Sequence, residues 1–438
     1  MTTTLANQIN SGNEHEQGHA KDHAKDHAQG HAKGHAKGID SGYRWVVLAG
    51  VWFLYYCFGL VISSIAPLVD TIVRDLQISL STMGRILGAW QLVYLLSAIP
   101  LGIAIDRFGL RISLTVAAVV IALSAILRGI AIDGVTLWFA VAVFGLGGPL
   151  ISIGAPKVIA RWFGSAERGL AMGIYMTGPA LGTVTSLALT NSVLMPWLDN
   201  NWRQVFFVSA LVAAISAVTW LIISSASISR QSELDSPRTG GLPVFLRLLR
   251  VPVVVAILLM SIGIFTFNHG LGNWLPEILR SGGMSVVDAG FWAAIPTLTG
   301  VVSSLLIPRL ATRERRFHLL VYLFVCAFFA VVLIALGDGI WLAGGLMLQG
   351  VARGAMMTIA ILILMETPAV GAENMGVAGG LFFTAAEIGG VLGPVGIGAI
   401  ADRTGGFDAT LFMLSVVCVL LVAMALLVKR LEQRQRVS

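Results

Sequence analysis

The sequence predicts an all-α integral membrane protein whose twelve transmembrane helices divide into two halves of six. Three observations carry this. Of 438 residues, 56% are hydrophobic and only 12% are charged, against about 45–50% and about 25% in an average soluble domain. Twelve runs approach the roughly 20 apolar residues a helix needs to cross a bilayer. The longest polar interval, residues 226–250, follows the sixth run and is rich in turn formers (Ser236, Pro237, Gly240, Gly241, Pro243). So little charge cannot cover a soluble surface of this size, which disfavours a soluble enzyme, a nucleic-acid binder and a secreted scaffold.

Taken in order, the chain opens with a histidine-rich tail, residues 1–43, expected to be disordered. His15, His19, His23, His27, His31 and His35 recur every fourth residue. On a helix, imidazoles at i and i+4 can chelate a divalent metal, whereas Gly18, Gly30, Gly34 and Gly38 oppose a stable helix. A low-complexity tail and a metal sensor or buffer both fit this composition. No cleavable leader is expected, because the first 40 residues are polar and the first apolar run is long enough to span. The first half, 44–225, holds spans at 45–67, 82–104, 111–132, 136–160, 169–195 and 204–225. After the cytoplasmic linker 226–250, the second half, 251–430, holds spans at 251–273, 286–308, 318–337, 340–365, 375–400 and 408–428; a tail follows at 431–438. Cys57, Cys326 and Cys418 lie inside apolar runs, so no disulfide framework or metal spacing is available to them.

The net charge is +6 with a pI near 9.5, and the basic residues sit in short segments between apolar runs. The even-numbered loops carry Arg107 and Arg111, Arg161 and Arg168, Arg247 and Arg250, Arg309, Arg313, Arg315 and Arg316. The odd loops hold Asp70, Asp75, Asp133, Asp199, Glu277, Asp338 and Asp402. Lys and Arg concentrate on the cytoplasmic side, so both termini are expected inside, in a bacterial-type inner (plasma) membrane. No nucleic-acid partner is expected.

Between spans two and three stands Gly102-Ile-Ala-Ile-Asp106-Arg107-Phe-Gly109-Leu-Arg111. With twelve spans and both termini inside, this resembles the signature loop of the major facilitator superfamily, a resemblance that covers residues 44–430. It implies a secondary transporter working by alternating access. Gly102, Asp106, Arg107, Gly109 and Arg111 would form a conformational latch, and spans one, four, seven and ten would line the central cavity. Asn273-Trp-Leu-Pro-Glu-Ile-Leu with Asp288-Ala-Gly, and Pro156-Lys-Val-Ile-Ala-Arg161-Trp-Phe, are similar to the cyanate-permease-like branch, which handles small anions. The Asn-Arg-Pro expected early in that branch's first span is absent; Tyr55, Tyr56, Gly59 and Ser63 stand there instead.

Ionisable groups at membrane depth are costly and so are candidates for function. Arg353 lies near the middle of the tenth span, and its planar fork suits a carboxylate or nitrate-like anion. Glu387, midway along the eleventh, suits a proton carrier; a static ion pair with Arg353 is the bland reading of both. Asn268 and His269 in the seventh span, beside Gly270 and Gly272, suggest a helix break contacting solute. Tyr55 and Tyr56 in the first span, Gln91 in the second and Tyr175 in the fifth add polar groups. Arg128 and Lys157 are expected to snorkel or pair locally, Arg85 to stand at an entrance, and Trp274 and Trp292 to sit in the interfacial belt.

The sequence thus reads as a non-enzymatic carrier, without cofactor, of a small anionic solute, coupled to protons. Competing readings are a proton-driven drug or metabolite efflux pump, and a metal-responsive membrane sensor using the tail. There is no P-loop, so coupling would draw on an ion or solute gradient.

Overall fold

The computed structural model describes residues 42–225 and 242–437. The chain divides into a short leading unit, Met1–Leu48, and a main unit, Ala49–Ser438, which contains all the packing considered below. The described residues are almost wholly helical. The helices are α1 (Tyr43–Ser63), α2 (Leu80–Ile105), α3 (Arg107–Gly129), α4 (Gly134–Trp162), α5 (Ser165–Leu189) and α6 (Trp202–Ser225), followed by α7 (Pro252–Ser281), α8 (Val286–Leu310), α9 (Arg316–Leu336), α10 (Gly339–Met365), α11 (Gly371–Thr404) and α12 (Asp408–Val437). Eleven of the twelve are long and apolar enough to cross a membrane. The exception, α5, has the length but is diluted by glycines, threonines and Pro179. A short helix, Leu242–Leu248, lies in the expected linker, whose other described residues are few. The histidine tail lies outside the described residues.

Local chemistry explains the ends. Asp133 caps α4: its carboxylate accepts from the Thr136 amide at 2.8 Å, while the Thr136 hydroxyl accepts from the Asp133 amide. This reciprocal cap satisfies amides a helix start leaves unpaired. Gly109, in the first turn of α3, has φ 80° and ψ 164°, a backbone state open to glycine and strained for other residues. The chain turns there within the expected signature loop. Ser79 caps α2 by accepting from the Thr82 amide.

The first helix ends sooner than the apolar run does. It stops at Ser63, passes through a one-turn 3₁₀ segment, Ala66–Leu68, and resumes as Val69–Asp75. Proline at position 67 cannot donate to the ladder, and two partners hold the break open. Arg128 Nη1 donates to the Val61 carbonyl at 2.7 Å and to Ser64 Oγ at 3.2 Å. Asn191, in a π-helical turn after α5, donates to the Pro67 carbonyl at 2.8 Å. Arg128 is therefore buried in the bundle, 1% exposed, and does not snorkel. Trp274 is also corrected: it is fully buried, and its indole donates to the Pro394 carbonyl at 3.0 Å. The seventh span is longer than expected, and no break occurs at Gly270 or Gly272.

Helices pack closely where glycine removes side-chain bulk. A Cβ at Gly84 on α2 would stand 2.6 Å from the Pro394 carbonyl oxygen of α11, and one at Gly290 on α8 would overlap the Leu187 carbonyl oxygen of α5. The first six helices thus meet the last six most tightly at the end away from the basic loops. Asp70, beyond the break in α1, pairs there with Arg280 of α7 at 2.9 Å. Exposed Leu96, Ile99, Phe139, Ile222 and Phe412 form part of the outward surface of a bundle whose solvent is lipid.

Candidate functional site

A central cavity opens beside the break in α1. It gives about 70 Å³ to the centres of water-sized molecules, enough for a handful of waters, since one needs about 10–15 Å³. Its wall combines Ser63 of α1, Trp90 of α2, Thr183 of α5, Asn268, His269 and Asn273 of α7, and Arg353 of α10. The α7 residues share a face because Asn268 and Gly272, like His269 and Asn273, are one turn apart.

Arg353 is the fifteenth of 27 residues in α10, so it sits at mid-depth. Its guanidinium lies against Gly272, where a Cβ would stand 3.2 Å from Nη1. Among the described residues it forms no ion pair; Glu387 is not its partner, and the static-pair reading has no support in this geometry. His269 is held between the rings of Trp90 and Phe265, with centroids 5.6 and 5.2 Å away. Its Nδ1 lies 3.4 Å from Gln91 Nε2. Asn273 donates to the His269 carbonyl at 2.7 Å. The buried Asn268 Oδ1 has no partner, leaving an acceptor for a donor the protein does not supply.

Glu387, at the middle of α11, is 5% exposed, and its Oε2 is unpartnered. It lies behind the cavity wall, next to Gln91, and does not line the cavity. The tyrosines are elsewhere too. Tyr55 stacks flat on Tyr175, with centroids 4.6 Å apart. Tyr56 points to Thr185 with a 3.1 Å hydroxyl contact. Helical neighbours diverge by about 100°, which separates the two, but neither reaches the cavity. Arg85 is exposed and bonded to the Ser81 carbonyl, also away from it. In the expected latch, Arg111 accepts from the Trp220 indole through its carbonyl at 3.2 Å, and Arg107 lies near the Phe108 ring. The Asp106 side chain lies outside the described residues.

Sequence reasoning missed Trp90, Ser63, Thr183 and Asn273 in the wall. It also missed Gln349, one turn before Arg353, which is fully buried with both amide atoms unpartnered. A polar amide four residues from a mid-span arginine was the available signal.

Twelve helices around a central cationic cavity invite comparison with known carriers, and the sequence profile of the Major Facilitator Superfamily matches residues 51–394. The chain belongs to this superfamily. It is a multi-pass membrane protein and a secondary transporter, not an enzyme. Among its relatives, a probable galactarate/D-glucarate transporter GudP of Bacillus subtilis (strain 168) is 25% identical over 382 residues, covering 78% of this chain and 82% of the relative. The hexuronate transporter of the same organism is 25% identical over 393 residues, covering 84% and 89%. A quinolone resistance transporter of Acinetobacter baumannii is 24% identical over 403 residues, covering 83% and 88%. In structure, the bundle is similar to a bacterial homologue of the human lysosomal transporter Spinster, with a TM-score of 0.66, 18% identity, and coverage of 90% of this chain and 98% of that one. The cyanate-permease branch is a resemblance of short stretches that these matches do not extend.

Proposed function

We propose that this transporter carries a small organic anion, of the hydroxy-acid kind, together with protons. Arg353 is the observation that carries the reading: a mid-depth guanidinium facing a cavity with no carboxylate partner among the described residues. An uncompensated charge in a bundle is costly, and a solute carboxylate supplies the missing partner in a matching bidentate geometry. Asn268, Asn273, Ser63 and Thr183 add neutral groups suited to hydroxyls. Relatives named for aldarate and hexuronate transport support the class. Glu387, buried beside the wall, is the proton carrier, and neutral Glu387 costs less to bury than ionised.

The halves 44–225 and 251–430 rock about the linker 226–250, with the Gly102–Arg111 loop as latch. The basic loops and both termini face the cytoplasm of a bacterial inner membrane. Close packing at the opposite end supports a conformation shut toward the outside.

A ligand that binds only the folded state raises its melting temperature. Screening D-glucarate, D-glucuronate, nitrate, cyanate and a hydrophobic cation against purified protein should show stabilisation by a hydroxy acid, lost in Arg353→Ala. Stabilisation by the cation alone, unchanged in that variant, would favour efflux of amphipathic compounds instead.

A further inference from the structure

Gln91 and Glu387, from α2 and α11, lie behind the cavity wall, and Gln91 reaches His269 of α7, which is part of that wall. Gln91 is completely buried, and its Oε1 has no partner. Its Nε2 faces His269 Nδ1 at 3.4 Å. On its other flank, Gln91 Cγ and Glu387 Oε2 lie 3.0 and 2.8 Å from the point where a Cβ on Gly390 would stand. Gln91 and Glu387 therefore flank the same buried spot, and each keeps an oxygen without a partner. Buried acceptors without donors are expensive, and a proton on Glu387 gives that pair a donor.

We propose that Gln91 is a positioning residue that transmits the protonation state of Glu387 to His269 and so to the solute cavity, by turning its side-chain amide. The proposal rests on the reading of Glu387 as proton carrier. With Glu387 neutral, its O–H donates to Gln91 Oε1. Gln91 Nε2 then points to His269 and donates to a bare Nδ1, which leaves the ring proton on Nε2. When Glu387 loses its proton to water, the carboxylate needs an N–H, and the amide turns to supply it. Gln91 Oε1 now faces His269, so Nδ1 must carry the proton; the ring releases the Nε2 proton to cavity water and takes one from water at Nδ1. The imidazole stays neutral, and the net proton released is the one from Glu387.

His269 lines the cavity with Arg353. Its free nitrogen thus changes from a donor, which favours an anion, to a lone pair, which disfavours one. Proton and anion bind together and leave together, which makes the transport a symport. The groups facing Glu387 from its packing neighbours are consistent with this assignment. Besides Gln91, α2 presents Tyr94, whose hydroxyl is engaged by Ser152 at 2.9 Å. His269 of α7 lies beyond Gln91, and Arg353 of α10 lies against α7 on the cavity side. The charged residues of α12 lie at its ends, Asp408 and Lys429 onward.

The test is nitrogen-15 NMR of histidine-labelled full-length protein in lipid nanodiscs, with the His269 signal assigned by its absence in His269→Gln. In the unmutated protein the His269 signal should move from the Nε2–H to the Nδ1–H tautomer as pH rises. Gln91→Leu and Gln91→Met, two apolar replacements of similar size that guard against a folding failure in either, should each abolish that change. Glu387→Gln should abolish it as well. A pH-dependent tautomer change that persists in both Gln91 variants but vanishes in Glu387→Gln would overturn the relay while leaving Glu387 as carrier. Persistence in Glu387→Gln would overturn the carrier assignment itself. A His269 tautomer that is the same at every pH in the unmutated protein would overturn the proposal outright.

Discussion

Replacing Asp70 by Asn should make the cavity more accessible from the end away from the basic loops. Asp70 Oδ1 is shared by Arg74 at 3.0 Å and Arg280 at 2.9 Å, and Arg280 also grips Glu277 at 2.6 Å. Asp70 and Arg74 lie on one short helix, and Glu277 and Arg280 both lie on α7, so those two pairs survive any movement that parts the halves. Only Asp70–Arg280 resists it. Its side chains are 20% and 27% exposed, between a fully solvated pair worth about 0–1 kcal/mol and a dry one worth more. The link therefore contributes about 1–2 kcal/mol, and losing it should raise the open-to-closed ratio roughly 5–30-fold. The assay is the labelling rate of a cysteine at Ala293, in the cavity wall on α8, by a membrane-impermeant maleimide added to intact cells. The three native cysteines are buried and give a low background. A rate in Asp70→Asn equal to that of the unmutated chain would refute the argument that this ion pair closes the cavity.

Three further outcomes follow from the packing. Gly290→Val should raise the same labelling rate, because any Cβ there meets the Leu187 carbonyl and pushes α5 from α8; unchanged labelling would count against the closed interface. Arg128→Met should lower thermal stability by about 3 kcal/mol, since it removes charge-assisted bonds of 2.7 Å to the Val61 carbonyl and 3.2 Å to Ser64 Oγ; a neutral effect on melting would show that the break in α1 holds without it. Asp133→Ala should give a stability deficit that depends on pH. Hydrogen bonds from the Thr136 amide and hydroxyl hold the Asp133 carboxyl below its ordinary value. A depressed carboxylate stabilises the fold above the unfolded value of about 3.9 and ceases to do so as pH falls through the folded one. Melting curves of the two proteins should therefore differ at neutral pH and converge below about pH 4; a constant gap would contradict the cap's charge.

The sequence made the bundle legible because lipid imposes one rule on every span: an apolar run of fixed minimum length. It also exposed Arg353 and Glu387, since a charge within such a run stands out. Neutral polar residues do not stand out. Ser63, Thr183 and Asn273 cost little in an apolar run and face the cavity only because of how their helices are turned. Tyr55, Tyr56 and Tyr175 looked equally eligible at mid-depth, yet stacking between Tyr55 and Tyr175 and the Thr185 contact of Tyr56 take them elsewhere. Arg128 and Trp274 lie near span ends, where snorkelling and belt positions are usual. Their burial depends on the Val61 and Pro394 carbonyls, contributed by chain 67 and 120 residues away. Such partners are set by tertiary packing, which no local pattern encodes.

The central claim is that Arg353 receives an anion whose movement is tied to protons. Uptake of labelled D-glucuronate into proteoliposomes, with and without an inward-directed proton gradient, tests it most directly. The account expects accumulation driven by the gradient in the unmutated protein, no uptake in Arg353→Ala, and gradient-independent exchange in Glu387→Gln. Full gradient-driven accumulation by Arg353→Ala would contradict it.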